Sequence, residues 1–217
     1  MGKAVSKNRD AFIKTLKKFR IRKGVLEAVH AVRQEDFFDQ MFLPRLYTDE
    51  PIPIGFGQAG DPPLGLAQML SRLAPQRKWR VLEVGTGSGY SAALLAAMVS
   101  EVVTVEILDG LAVEARDRLR RLRKGNIRLF SGDGTVSDGS LGHFDAIIVL
   151  AACRKRPLSL LSILKPGGSI VFPMGPQHQQ QIALLKNEIS GGEERLFTMS
   201  FHEFCLFPPI QGAYGYS

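Results

Sequence analysis

The chain has 217 residues, of which 45% are hydrophobic and 23% charged, and a formal net charge of +7. This composition is typical of a globular protein and excludes a disordered chain, while two cysteines exclude a disulfide framework. We predict a monomer with a single domain over residues 1–217, divided into an N-terminal helical or lid segment (1–60) and a cofactor-binding sheet (61–217). We expect a cytoplasmic location and no membrane attachment, because the start lacks the apolar core of a secretion signal.

The positive charge is concentrated at the N-terminus. Residues 1–24 carry nine lysines and arginines and one acid, so this segment is at +8 and leaves −1 for the rest of the chain. Phe12, Leu16 and Phe19 recur at helical spacing between the basic residues. The pattern predicts an amphipathic helix that packs these three side chains on the body and leaves its basic face in solvent. We therefore expect no nucleic-acid partner.

Predicted strands and helices alternate along the rest of the chain. The strands are expected at 80–84, 101–107, 126–131, 144–150 and 169–173, and the helices at 90–99, 110–124 and 157–164. The continuous apolar run at 144–150 is typical of a central parallel strand. Two segments flanking SGG (190–192) predict a hairpin, and EFCLF (203–207) a final strand. The predicted fold class is α/β: a doubly wound, mostly parallel, Rossmann-like sheet with an antiparallel C-terminal hairpin.

The first predicted strand ends in a glycine-rich loop, VGTGSG, with glycines at 85, 87 and 89. Such a turn before a helix lets a ligand approach the backbone closely. Glu106 ends the next strand, where a carboxylate can accept hydrogen bonds from ribose hydroxyls. A dinucleotide fingerprint needs a small residue at position 90, which is Tyr90 here. The loop therefore predicts a nucleoside-containing ligand other than a dinucleotide.

With Glu83, the loop reads E-x-G-x-G-x-G and resembles motif I of class I S-adenosylmethionine-dependent methyltransferases. Asp133-Gly134, Asp145 and the KPGG turn (165–168) follow in the order of that class. The segments VLEAVHAVRQEDFF, YTDEPIPIGFGQ, FDAIIVLAA, LKPGGSIVFPMG and FPPIQG resemble the protein-L-isoaspartate (D-aspartate) O-methyltransferases nearly end to end. PIPIGFGQ is the most specific of them.

The resemblance implies S-adenosyl-L-methionine as cofactor and a protein or peptide substrate whose L-isoaspartyl or D-aspartyl carboxylate is methylated for protein repair. It places the glycine loop along the methionine part of the cofactor, Glu106 on the ribose and Asp133 with Gly134 on the adenine. The predicted cofactor contacts are Gln58, Ala59, Glu83, Gly85, Thr86, Gly87, Ser88, Gly89, Glu106, Ile107, Asp133 and Gly134.

One segment departs from the family. After Gly-Gln the family usually has Thr-Ile-Ser, with the serine assigned to catalysis, whereas this chain has Ala59-Gly60-Asp61. Leu150 is a smaller departure, at a position where a hydroxyl or small residue is common. Asp61 becomes the candidate catalytic residue. An ionised Asp61 at ~4 Å from an acceptor carboxylate would repel it by about 4 kcal/mol at an effective dielectric of 20.

Two alternatives therefore stay open. The acceptor could be a neutral hydroxyl or amine, with Asp61 as general base. The chain could also be a cofactor-binding paralogue without catalytic activity. No metal is expected, because the four histidines, at 30, 143, 178 and 202, are scattered along the sequence.

Overall fold

The computed structural model describes residues 2–136, 139–188, 196–213 and 215. The helices are α1 (Gly2–Lys18), α2 (Lys23–Ala31), α3 (Pro63–Leu73), α4 (Tyr90–Met98) and α5 (Asp109–Arg121). Short 3₁₀ segments occupy Gln34–Asp36, Gln40–Arg45 and Leu158–Ile163. The strands are β1 (Pro53–Gly55), β2 (Gln58–Ala59), β3 (Arg80–Val84), β4 (Glu101–Glu106), β5 (Ile127–Ser131), β6 (Phe144–Val149), β7 (Leu164–Met174), β8 (Gln180–Glu188) and β9 (Leu196–Cys205).

A seven-stranded sheet in the order β5-β4-β3-β6-β7-β8-β9 forms the centre of the molecule. The pairs from β5 to β7 are parallel, while β8 and β9 are antiparallel to their neighbours. Five of the six residues of β6 are buried, as its apolar run predicts. The mostly parallel, doubly wound sheet with antiparallel C-terminal strands confirms the predicted fold class.

The strand order reverses between β3 and β6, because the chain leaves β3 toward β4 on one side and later returns to its other side. In open α/β sheets, the crevice beyond the carboxyl ends of the strands at such a reversal is where ligands bind. The glycine loop after β3 and Glu106 at the end of β4 both lie at this edge. The topology therefore places the predicted cofactor residues beside one another.

The N-terminal helix packs on the body through only part of its predicted stripe. Leu16 is fully buried, and Phe12 is buried with its ring centroid 5.9 Å from that of Tyr47. Phe19, by contrast, is 53% exposed, so its predicted burial is wrong. The reason is that α1 ends at Lys18 and Arg20 adopts φ 54°, which turns the chain away before the stripe continues.

Three predictions for the C-terminal half need correction. The segment 157–164 is a 3₁₀ turn over Leu158–Ile163 in place of an α-helix. The four KPGG residues (165–168) lie inside β7, where they oppose the single residue Asp145 between the pairs Phe144–Leu164 and Ala146–Ser169. Residues 203–205 continue β9 past an irregularity opposite Ile182, so EFCLF does not form a separate strand. The SGG turn lies outside the described residues.

Candidate active site

A cleft opens at the carboxyl ends of β3, β4 and β6. The β1–β2 hairpin, the glycine loop and the C-terminal segment surround it. Its lining comprises Ile54, Gln58, Ala59, Asp61, Val84, Gly85, Gly87, Glu106, Ile107, Leu108, Leu111, Gly134, Thr135, Leu150, Ala151, Pro208, Pro209, Ile210 and Gln211. The cleft thus brings together seven of the predicted cofactor residues and the candidate catalytic residue.

The glycine loop has a backbone that side chains would disturb. Gly85, Gly87 and Gly89 have φ of 95°, 52° and 88°, in the left-handed region that glycine adopts without steric cost. A Cβ at Gly87 would lie 3.3 Å from Cδ1 of Ile54 in the hairpin. Because the loop is bare of side chains on this side, a ligand can approach its backbone directly.

Glu106 joins the end of β4 to the glycine loop. Its Oε2 accepts a hydrogen bond from Gly87 N at 2.8 Å, and its Oε1 accepts one from Leu108 N at 3.0 Å. A carboxylate has about four acceptor positions, so both oxygens retain capacity for hydroxyl donors. Glu106 lines the cleft while being only 5% exposed. The arrangement fits a ribose diol.

Three other residues of the motif support the loop from behind. Glu83 is fully buried, and its Oε2 accepts a hydrogen bond from Thr104 Oγ1, which lies 2.6 Å from Thr86 Oγ1. Burial raises the pKa of Glu83 to about 8, so this side chain is mainly protonated at pH 7. Ser88 Oγ accepts a hydrogen bond from Tyr90 N. These side chains hold the loop in shape, and their direct contact with a cofactor stays a prediction.

Both carboxylate oxygens of Asp133 already accept hydrogen bonds within the protein. Its Oδ1 accepts hydrogen bonds from Thr135 N and Oγ1, and its Oδ2 accepts one from Ala213 N at 2.6 Å. Burial opposes ionisation, but these hydrogen bonds hold the pKa of Asp133 below its usual range. Gly134 lines the cleft, and a Cβ there would lie 2.8 Å from Cγ1 of Val84. The backbone of Gly134 is therefore the part of this pair that faces a ligand.

The hairpin carries the segment that departs from the family. The N–H of Gly60 donates to Ile52 O at 2.8 Å, which fixes the chain just before Asp61. Asp61 lines the cleft and has no hydrogen-bond partner in the part of the chain that the structure describes. Burial, and then the negative charge of Glu106, raise the pKa of Asp61 to about 7. Near neutral pH the cleft therefore contains both forms of this carboxyl group.

The hairpin also reaches over the start of α5. Phe56, at the tip, is 56% exposed and has φ 52°. Its ring lies so close to Gly110 that a Cβ there would clash with the ring. Gly110 therefore allows the hairpin to close one side of the cleft.

Metal binding has no structural support within the described ranges, where no group of three or more His, Cys, Asp or Glu side chains could hold an ion. None of the described helices combines the length and the hydrophobicity that a membrane span requires.

Comparison with known proteins identifies the family. The family model described as Protein-L-isoaspartate(D-aspartate) O-methyltransferase (PCMT) matches residues 7–212. The chain belongs to this family. A protein-L-isoaspartate O-methyltransferase of Vibrio parahaemolyticus is 43% identical over 186 residues, covering 86% of each chain. One of Shewanella amazonensis is 38% identical over 177 residues, covering 82% of this chain and 84% of the relative.

Solved structures of this family share the fold. A protein-L-isoaspartate O-methyltransferase superposes with a TM-score of 0.80 at 21% identity, covering 95% of this chain and 67% of the other. A putative member from Plasmodium falciparum, solved in complex with S-adenosyl-L-homocysteine, gives a TM-score of 0.75 at 22% identity over 91% of this chain and 96% of the other. These structural matches confirm the fold that the sequence resemblance implied.

The closing FPPIQG segment (207–212) has no role that the sequence predicts, although its residues Pro208–Gln211 line the cleft. They are held there because Ala152 N donates to Pro208 O at 2.7 Å and Ile210 N donates to Ala152 O at 3.0 Å. Only the family resemblance of the segment signalled its importance.

Asp145, which follows the glycine motif in the order typical of the methyltransferase class, lies away from the cleft. It is at the start of β6, where its carboxylate accepts hydrogen bonds from Arg80 N and Lys165 Nζ. The parallel strands begin at the edge opposite the cleft, so Asp145 ties the sheet together and contributes nothing to the site.

Proposed function

We propose that this chain methylates the free carboxylate of L-isoaspartyl and D-aspartyl residues in proteins, with S-adenosylmethionine as methyl donor, as the first step of their repair. Membership of the isoaspartate O-methyltransferase family over residues 7–212 carries this proposal. The cleft supports this proposal because three features meet in it: the glycine loop, the Glu106 carboxylate that can bind a ribose, and the carboxyl group of Asp61.

The residues of the cleft fit the donor. The backbone of Gly85 and Gly87 leaves room for the methionine part, Glu106 has acceptor capacity for the ribose hydroxyls, and Gly134 presents backbone to the base. When bound, S-adenosylmethionine supplies an electrophilic methyl group on a sulfonium centre. The apolar residues Ile54, Leu108 and Leu111 exclude water beside these polar contacts.

The acceptor needs alignment more than activation. A carboxylate with a pKa near 4 is already ionised at pH 7, so its methylation requires no general base. In its protonated form, Asp61 can donate a hydrogen bond to one acceptor oxygen and leave the other free to attack. This neutral form avoids the repulsion of about 4 kcal/mol that two carboxylates ~4 Å apart would suffer at an effective dielectric of 20. We infer that protonated Asp61 takes the place of the family serine hydroxyl.

A second candidate function is methylation of a neutral hydroxyl or amine with Asp61 as general base. The pKa of Asp61, raised to about 7, favours this candidate because an efficient base titrates near the working pH. The two functions require opposite protonation states of Asp61 and therefore predict opposite dependence of rate on pH.

The direct test is transfer of labelled methyl from S-adenosylmethionine to an isoaspartyl peptide and to its aspartyl counterpart. We expect base-labile incorporation into the isoaspartyl peptide alone. Incorporation into neither peptide, with S-adenosylhomocysteine still bound, would instead support the paralogue without catalytic activity. We also propose that the protein is a monomer located in the cytoplasm. Its two cysteines, 153 and 205, are free thiols, as is usual in that compartment.

A further inference from the structure

A second groove adjoins the candidate active site. The start of α3, the turn before β8 and the chain after β9 form its walls, and its volume is about 780 Å³. It shares Ala59 and Pro208 with the cleft, and Gly60, the residue before Asp61, lines it. The groove is therefore continuous with the cleft on the side formed by the β1–β2 hairpin and the C-terminal segment.

The groove has mainly apolar walls. Pro51, Pro62, Leu64, Phe204, Leu206 and Phe207 contribute to the lining. Asp49 and His178 are its only Asp, Glu, Lys, Arg or His residues, and Asp49 Oδ1 already accepts a hydrogen bond from Leu64 N at 3.0 Å. A segment that fills this groove therefore meets apolar surface and little charge.

Large apolar side chains stand exposed at its rim. Phe204 is 70% exposed and Leu206 61% exposed, at the end of β9 and just after it. In the described part of the sheet β9 pairs only with β8, so its outer edge offers backbone groups to an extended chain. Exposed apolar side chains beside a cleft and a free strand edge are features of a peptide-binding surface.

We propose that this groove binds apolar residues flanking the isoaspartyl acceptor in an extended protein segment. The inference rests on the proposed function, because the acceptor carboxylate entering beside Asp61 places its chain neighbours in the groove. Continuity through Ala59 and Pro208 argues for the substrate as occupant, and the scarcity of charge argues for apolar flanks.

The test compares the kinetics of two isoaspartyl peptides of equal length, one with leucine and phenylalanine flanks and one with serine and glycine flanks. An isoaspartyl tripeptide, too short to fill the groove, is the third substrate. The variant is Phe204→Ser/Leu206→Ser, and Leu196→Ser is the matched control, since Leu196 is 57% exposed on the same strand but does not line the groove.

We expect wild type to have a lower KM for the apolar peptide than for the polar one. The double variant should raise the KM for the apolar peptide about tenfold, as partial burial of two large side chains implies. Its kcat and its kinetics on the tripeptide should stay within about twofold of wild type. Leu196→Ser should leave all values unchanged, and the conservative Phe204→Leu/Leu206→Met should keep the low KM.

Equal KM values for both long peptides in wild type would overturn the groove proposal, as would the same KM increase in Leu196→Ser. A concentration-dependent dimer that the double variant abolishes would show that a second copy occupies the surface. If no peptide is methylated, the proposed function fails; binding of the two long peptides, measured by calorimetry with S-adenosylhomocysteine present, then decides the groove proposal separately.

Discussion

The charge of Asp61 gives the proposed reaction a pH dependence of definite sign. If only the protonated form accepts a carboxylate substrate, kcat/KM for an isoaspartyl peptide should fall as pH rises. With a pKa of about 7, the protonated fraction is about 0.9 at pH 6 and about 0.1 at pH 8, a drop of about tenfold. The acceptor itself, with a pKa near 4, stays ionised throughout this range.

The size of the repulsion justifies treating the ionised form as inactive. About 4 kcal/mol at ~4 Å corresponds to roughly a thousandfold in rate. The positive sulfonium charge favours ionised Asp61, so a saturating donor shifts the midpoint below that of the free enzyme without changing the sign of the slope. Asp61→Asn and Asp61→Ser, which remain neutral, should keep the low-pH rate within a few-fold and show a flat profile between pH 6 and 8.

Initial rates with labelled donor, at pH steps between 6 and 8, provide the measurement. A wild-type rate that rises through pH 7 and disappears in Asp61→Asn, without loss of cofactor affinity, would refute this reasoning and establish Asp61 as a base for a neutral acceptor. A flat wild-type profile would refute any role for its ionisation.

Three further predictions concern the cofactor, the N-terminal helix α1 and the hairpin. Glu106→Gln should weaken S-adenosylhomocysteine binding by about 1–3 kcal/mol in calorimetry; unchanged affinity would contradict a ribose role. Leu16→Ala should lower the free energy of unfolding in urea by about 2–5 kcal/mol, and exposed Phe19→Ala by at most about 0.5 kcal/mol; equal costs would contradict the observed packing. Gly110→Ala should displace the hairpin ring and raise the KM for S-adenosylmethionine, whereas Gly125→Ala, with no atom within 4 Å of its Cβ, should not.

Much of the fold follows from local patterns. The β-branched run of β4 and the apolar run of β6 specify buried parallel strands, and the glycines after Val84 mark where β3 ends. The errors arise where a pattern is compatible with two structures. A short leucine-rich run fits an α-helix as well as the 3₁₀ turn at Leu158–Ile163. The predicted burial of Phe19 requires α1 to continue past Lys18, but the positive φ of Arg20 is incompatible with a continuing α-helix.

The site was predictable wherever its residues follow a strand. Gly85 and Glu106 come directly after β3 and at the end of β4, so the parallel sheet brings them together. Asp145 lies at the start of its strand, and the same rule assigns it to the opposite edge. The position of Pro208–Gln211 depends on hydrogen bonds to Ala152 across more than fifty residues of chain. No local pattern encodes such a contact.

The protonation state of Asp61 also depends on the fold. The sequence shows a carboxyl group in place of a hydroxyl and, taken alone, predicts repulsion of the acceptor. Burial and Glu106 raise the pKa from 3.8 to about 7, so the native state binds a proton more tightly than the unfolded chain and stability falls as pH rises from about 4 to 7. The cost above pH 7 is at most about 4 kcal/mol. Asp61→Asn should therefore raise the melting temperature at pH 8 and leave it nearly unchanged at pH 4. An equal increase at both pH values would mean that Asp61 is solvated and ionises normally. Protonated Asp61 would then not be available near pH 7 to donate a hydrogen bond to the acceptor.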